Sequence, residues 1–155
     1  MLILLGIPVV QMLLFGFAIT TEVKDVQVAV FDPSKDVATR QIIEKFRASS
    51  YFDFVEELTD VDEINDIFKY GKINLVIVFS DNFAENLMRT GDASVQLITD
   101  GTEPNQASMI TGYASNILAS YQQSLSEQGK TPFRIVPEIK MLFTLKTKHI
   151  FFLHQ

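Results

Sequence analysis

The chain of 155 residues contains no cysteine. That excludes a disulfide framework, a thiolate metal site and a cysteine nucleophile. Positive charge is also in short supply: 13 Lys and Arg stand against 19 Asp and Glu, a formal net charge of −6. Phosphate backbones need a basic footprint, so nucleic acid is not an expected partner. Histidine occurs only as His149 and His154, both in the C-terminal tail, and the pair makes no convincing metal site. No G-x-G-x-x-G, Walker loop or H-E-x-x-H is present. With no nucleophile–base set either, the chain is not expected to be an enzyme. No cofactor is expected, and no catalytic or metal-binding residue is nominated. Internal repeats, low-complexity tracts and Gly/Ser linkers are missing as well.

What the chain does have is a long apolar run at its start. Met1 to Ile19 reads MLILLGIPVVQMLLFGFAI, with Gln11 the one strongly polar side chain. As a helix it would be about 28 Å long, close to the hydrocarbon thickness of a bilayer. A buried core helix would show a polar face, and none is present. A secretory signal needs a basic flank, a shorter apolar core and a small-x-small cleavage site. No Lys or Arg precedes the run, and Phe17 and Ile19 interrupt the small residues Gly16, Ala18 and Thr20. Residues 1–19 are therefore expected to form a transmembrane helix, with lipid as a partner. Pro8 is compatible with this, because membrane helices accept proline more readily than soluble ones. The missing basic flank points to a chain that is incomplete upstream.

After the short polar hinge Thr20 to Asp25, strand and helix signals alternate. Val26 to Phe31 (VQVAVF) reads as a strand ending in Asp32-Pro33-Ser34. Asp32 or Ser34 is then expected to cap a helix running to about Ala48, with Val37, Ile42, Ile43 and Phe46 inward. Tyr51 to Leu58 alternates as a second strand, with Phe52, Phe54 and Leu58 on one face. Thr59 opens a T-x-x-D capping pattern with Asp62, and Gly71 suits a helix C′ position. Ile73 to Phe79 (INLVIVF) is apolar on both faces, as a central parallel strand is. Ser80 is expected to cap a helix carrying Phe83, Leu87 and Met88 that stops at Gly91. Ala93 to Thr99 is another strand, leading into Asp100-Gly101. The longest helix is expected from Pro104 to Gln128, with Met109, Tyr113, Ile117, Tyr121 and Leu125 recurring at every fourth position, Ile110, Ala114 and Leu118 beside them, and Gly129 ending it. Phe133 to Phe143 contains Pro137 and reads as an edge strand. The pattern predicts an α/β fold: a mostly parallel sheet of about five strands flanked by helices, preceded by one N-terminal transmembrane helix.

Chemistry-bearing clusters are few. A phosphate or carboxylate at the helix start after Asp32-Pro33-Ser34 is conceivable, but a plain N-cap explains those residues. Asp60, Asp62, Glu63 and Asp66 suit a solvated helix face better than a cation site. The segment Asp100 to Asn105 is dense in turn formers; a rigid turn before the long helix accounts for it, with a contact surface as the sharper reading.

Four places carry a family resemblance. The first helix ends P-x-x-Q-x-x-x-F-G-x-A, with Pro8, Gln11, Phe15, Gly16 and Ala18. V-A-V-F-D-P-S, Val28 to Ser34, precedes a helix ending R-A-S-x-Y-F, Arg47 to Phe52. S-D-N-F-A-E-N-L follows as Ser80 to Leu87, and D-G-T-E-P-N-x-A as Asp100 to Ala107. In order and spacing the chain resembles the permease subunit of bacterial ABC-2 type exporters, in the branch with a large extracytoplasmic domain after the first membrane helix. The resemblance implies efflux of drugs or other small hydrophobic compounds across the bacterial cytoplasmic (inner) membrane. It places residues 20–143 on the periplasmic or extracellular side, with 144–155 as an atypical tail. The implied partners are a second permease copy or half-permease, cytoplasmic ATP-binding subunits reached through segments missing here, and a periplasmic adaptor protein. ATP hydrolysis would belong to the ATP-binding subunits. The motif residues Pro8, Gln11, Phe15, Gly16, Asp32, Asp100, Gly101, Pro104 and Asn105 are implied to have structural or docking roles. Both ends depart from the family pattern, so the chain reads as a truncated or N-terminal partial subunit. The alternative is a free-standing, membrane-anchored module that binds a ligand or peptide. Its site would lie at the carboxyl ends of the strands, in the loops after Phe31, Phe79 and Thr99.

Overall fold

The computed structural model describes residues 2–18, 25–69, 71, 73–127 and 133–143. Its elements run α1 (Leu2–Ala18), β1 (Val26–Phe31), α2 (Val37–Arg47), β2 (Phe52–Leu58), α3 (Glu63–Lys69), β3 (Leu75–Phe79), α4 (Phe83–Thr90), β4 (Asp92–Asp100), α5 (Pro104–Glu127) and β5 (Arg134–Leu142). One five-stranded sheet has the order β2-β1-β3-β4-β5. All neighbours are parallel except β3 and β4, which are antiparallel. The α/β fold with a mostly parallel sheet is therefore the one that forms. The polar hinge before Asp25, the helix stop at Gly129 and the tail 144–155 with its two histidines lie outside the described residues.

Helix α1 has 17 residues with Pro8 inside it. Among the described residues no helix is long and apolar enough to cross a membrane. Apart from Gln11, the exposed side chains described along α1 are apolar: Met12 and Leu14, for example, are 81% and 65% accessible.

The sheet has two unequal faces. One is covered by α2, α4 and α5, whose Ile42, Phe46, Phe83, Leu87, Ala114 and Leu118 pack on Val28, Ile77, Phe79, Val95 and Leu97. The other is covered, among the described residues, by α3, through Ile64 and Phe68 on Ala29, Leu58, Val76 and Ile98. Strand β3 is buried on both faces, which is why its sequence is a continuous apolar run. Each parallel crossover places its helix so that all three have the same hand, as right-twisted strands require.

Several local expectations are corrected. The N-cap of α2 is Asp36, whose Oδ1 accepts from Thr39 N at 2.9 Å, rather than Asp32 or Ser34. Val37 is exposed, because the buried stripe of α2 is Thr39, Ile42 and Phe46. Leu58 faces away from Phe52 and Phe54. Val28 pairs with Phe54 and Ala29 with Glu56, so Val55 is an extra residue that flips the strand's parity. Helix α3 starts at Glu63, after a turn in which Asp60 Oδ1 accepts from Asp62 N. In α5, Met109 and Tyr113 are exposed while Ala107, Ile110, Ala114, Leu118, Tyr121 and Leu125 are buried. A strict every-fourth-residue line drifts about 40° per step around a helix, so Met109 and Leu125 cannot face one core. Met88 of α4 is likewise exposed.

Candidate functional site

The polar groups and chain crossings gather at the two ends of the sheet. Ligands of open α/β sheets usually sit beyond the carboxyl ends of parallel strands. Here that distal end is formed by the loops after β1 and β3. Buried Asp32 folds the first loop: its Oδ1 accepts from Ser34 N at 3.1 Å and Lys35 N at 2.9 Å. Ser34 then reaches across, its Oγ accepting from Phe83 N at 3.1 Å and donating to Ser80 O at 2.9 Å. Asp36 caps two helices at once, since its Oδ2 accepts from Ala84 N at 2.7 Å while its Oδ1 serves α2. Helix α4 has no side-chain cap of its own: Asn82 at its start is left-handed with φ 52°, and the buried Ser80 hydroxyl has no hydrogen-bond partner among the described residues. The Phe83 and Ala84 N–H groups at the start of α4 are thus engaged by the protein itself.

Tyr121 closes the same end from α5. Its hydroxyl donates to Gln41 Oε1 at 3.0 Å. Burial, and secondarily the Asp36 carboxylate, push its pKa above the ordinary tyrosine value.

The proximal end is built differently. Its position follows from register: Val28 is level with Leu75, Leu75 with Thr99, and Thr99 with Met141. The first residue of β1 and the last of β5 therefore lie at one end of the sheet. The single antiparallel step makes this so; an all-parallel sheet would release β5 at the opposite end. The two points are three strand spacings apart, about 14 Å.

Around them lie the turn residues before α5. Asp100 Oδ1 accepts from Thr102 N at 2.9 Å, and Gly101 N donates to Leu142 O at 2.8 Å. A Cβ on Gly101 would lie 2.7 Å from the Phe143 ring, so glycine lets that ring rest on the turn. Pro104 occupies the first position of α5, where its fixed φ suits a helix start. Asn105 is exposed beside it. A hollow of about 120 Å³ lies here, bordered by Asn74, Asp100, Thr102, Glu103 and Gln106.

The candidate residues are thus divided. Asp100, Gly101, Pro104 and Asn105 come together at the proximal end, and Asp32 stands at the distal end. Pro8, Gln11, Phe15 and Gly16 lie along α1. The three loops of the binding-module reading are not brought together: those after Phe31 and Phe79 are distal, whereas antiparallel β4 carries the loop after Thr99 to the proximal end.

Two features escaped sequence reasoning. Asp36 shows a local D-x-x-T signal, but nothing local reveals its reach to α4. The stacking of Tyr51 on Tyr113, ring centroids 4.5 Å apart, joins residues too distant in sequence to leave a pattern. Among the described residues no three His, Cys, Asp or Glu side chains are grouped to hold a metal ion. The acids near α3 make local contacts, Asp66 pairing with Lys69 at 2.7 Å. A larger hollow of about 630 Å³ lies between α2 and β2, with Val30, Ile43 and Phe54 in its lining. Two surface ion pairs cross its rim, Lys35–Glu57 at 2.9 Å and Arg47–Glu44 at 3.6 Å.

Comparison with known proteins adds three findings. The family model described as ABC-2 family transporter protein matches residues 1–149. YbhR of Escherichia coli K12, described as a probable multidrug ABC transporter permease, is 32% identical over 130 residues, covering 83% of this chain and 35% of YbhR. YbhS of the same strain, described in the same terms, is 26% identical over 140 residues, covering 90% of this chain and 37% of YbhS. The chain thus spans about a third of the length of these curated relatives. In fold it is similar to the crystal structure of a domain assigned to an ABC type-2 transporter of Thermotoga maritima MSB8. That match has a TM-score of 0.52 at 19% identity, over 74% of this chain and 86% of that domain.

Proposed function

The chain belongs to the ABC-2 transporter family, and from that premise we propose that it is the first membrane segment and extracytoplasmic domain of an export permease. It contributes to efflux of drugs or other small hydrophobic compounds by docking partner subunits. Residues 1–19 are the membrane helix, 20–143 the domain on the periplasmic or extracellular side of the bacterial inner membrane, and 144–155 the tail. The partners are a second permease copy, cytoplasmic ATP-binding subunits that carry out ATP hydrolysis, and a periplasmic adaptor.

The observation that supports this most is the shared end of the sheet at which β1 begins and β5 finishes. A domain inserted between two membrane segments must start and finish on its bilayer side. About 14 Å between the two points suits neighbouring membrane helices, whose axes pack roughly 8–10 Å apart, with short connections. The apolar, exposed surface of α1 supports the membrane assignment, because such a surface is unfavourable in water. Its 17 residues sit at the short limit of the roughly 17–25 that span a bilayer. Asp100, Gly101, Pro104 and Asn105 then act at the membrane-facing end, ordering the turn beside the outgoing strand. The distal end, closed by Ser34 and Asp36, argues against the alternative of a ligand module with its site at the strand carboxyl ends.

The absence of cysteine makes a direct test simple. Asp81→Cys, on the exposed distal surface, is expected to react with a membrane-impermeant maleimide in cells whose outer membrane alone is permeabilised, with the chain in the membrane fraction. Labelling only after lysis of the inner membrane would overturn the assignment.

A further inference from the structure

Helix α5 differs from the other helices of the domain in its charge. Of its 24 residues only Glu127, the last, is acidic or basic. Helix α2 carries Arg40, Glu44, Lys45 and Arg47 in 11 residues, and α4 carries Glu85 and Arg89 in 8. The core side of α5 is apolar as expected, yet its outward side is also uncharged. Asn105, Met109, Gly112, Asn116, Ala119 and Gln123 are all exposed, at steps of four, three, four, three and four. Those steps average 3.6 residues, so the line runs straight along one side of the helix. Two large side chains add apolar contact area, Met109 at 36% and Tyr113 at 37% exposure. Tyr113 is held in place by its stack on Tyr51. A Cβ at Gly112 would meet nothing within 4 Å, so the middle of the line leaves room for a close neighbour. Solvated helix faces ordinarily carry charge, and this one is about 36 Å long without any until its end.

We propose that this face of α5 is where two copies of the domain meet, α5 against α5. The inference rests on the permease reading above and names the surface through which its two copies pair. Charge selects the occupant. The chain carries −6, so two copies repel across any face bearing its acids and least across a face that bears none. Along this line of α5 a charged partner would find no counter-charge; the one charged side chain bordering the groove at Tyr113 and Asn116 is Lys45 of α2. A two-fold axis along the membrane normal sets each residue near its own equivalent, placing Gly112 and Asn116 around the crossing. Paired Asn116 amides then satisfy one another, as a single asparagine does in fixing coiled-coil register. One helix pair covers less than the roughly 800 Å² per partner of a standard interface. Pairing therefore depends on confinement in the membrane, which raises the local concentration of the second copy.

Single cysteines in the otherwise cysteine-free full chain test this in bacterial membranes. Gly112→Cys and Asn116→Cys are expected to form disulfide-linked dimers on mild oxidation at least about fivefold more than Met88→Cys on exposed α4, because a disulfide needs Cβ atoms about 3.5–4.5 Å apart. Adding Asn116→Asp to Gly112→Cys is expected to cut the yield severalfold through like-charge repulsion. Equal yields at Met88→Cys and the α5 positions, or no link from α5, overturn the proposal. The membrane fraction of the same sample separates the two readings. A membrane-bound chain without α5 links removes this surface only, whereas a chain absent from the membrane removes the permease reading with it.

Discussion

The distal and proximal ends of the sheet handle their polar groups in opposite ways. At the distal end, Ser34 and Asp36 of one loop cap the helix that follows another, so the Phe83, Ala84 and Thr39 N–H groups are already engaged. At the proximal end the Asp100 turn is local and long-range bonds join Gln27 with Asn74 and Gly101 with Leu142, yet the surrounding side chains of Thr102, Glu103, Pro104 and Asn105 remain exposed. The difference indicates that stability is concentrated where the domain faces away from the chain crossings. The docking surface proposed for the turn residues lies where the chain enters and leaves. In a fold that usually binds small molecules at the distal end, the closed distal loops leave the proximal end as the better candidate for interaction.

The sharpest way to break this comparison is at Asp36. Asp36→Ala removes two helix caps, each worth about 1 kcal/mol, and leaves the Ala84 amide of α4 without its partner. Denaturant unfolding of the domain is expected to show a loss of roughly 2–3 kcal/mol; a change below about 0.5 kcal/mol would mean that the distal network is not a stabilising unit.

A pH titration probes the same end. Because the Tyr121 pKa is raised on folding by burial and then by Asp36, its contribution is fully present below the unfolded tyrosine value of about 10. It is lost as pH rises through the higher folded value. Stability is therefore expected to fall above about pH 10, and Tyr121→Phe to flatten that alkaline decline. An unchanged decline in the variant would remove Tyr121 from the account.

The proximal turn is expected to give the smallest stability effect. In Gly101→Ala the new Cβ meets the Phe143 ring, but that ring is 70% exposed and can swing away. A loss of about 1 kcal/mol or less is expected, with Phe143→Ala in the same chain recovering most of it. A loss as large as that of Asp36→Ala would erase the contrast between the ends.

Much of this was legible in the sequence. The five strands and four domain helices follow from hydrophobic period, from Gly71 and Gly91 in left-handed conformations at helix ends, and from Pro104 at a helix start. The mostly parallel direction was legible too, but the single antiparallel step between β3 and β4 was not. Helix α3, with 7 residues, joins parallel strands, and α4, with 8, joins antiparallel ones, so connection length does not separate the two cases. Leu58 was misplaced because the bulge at Val55 is a property of pairing with β1, invisible in β2 alone. The motif residues were readable as a group, but their distribution over two ends depended on the antiparallel step. Asp36 was overlooked for a related reason: its second partner, Ala84, lies 48 residues away.

The central claim is that the end holding Val26 and Leu142 faces the bilayer. Its most direct test places a single nitroxide label at Thr102 or at Asp81 in the membrane-bound chain and measures relaxation by a paramagnetic lipid headgroup. Strong enhancement at Thr102 and little at Asp81 is the predicted result. Equal enhancement, or a stronger effect at Asp81, would contradict it.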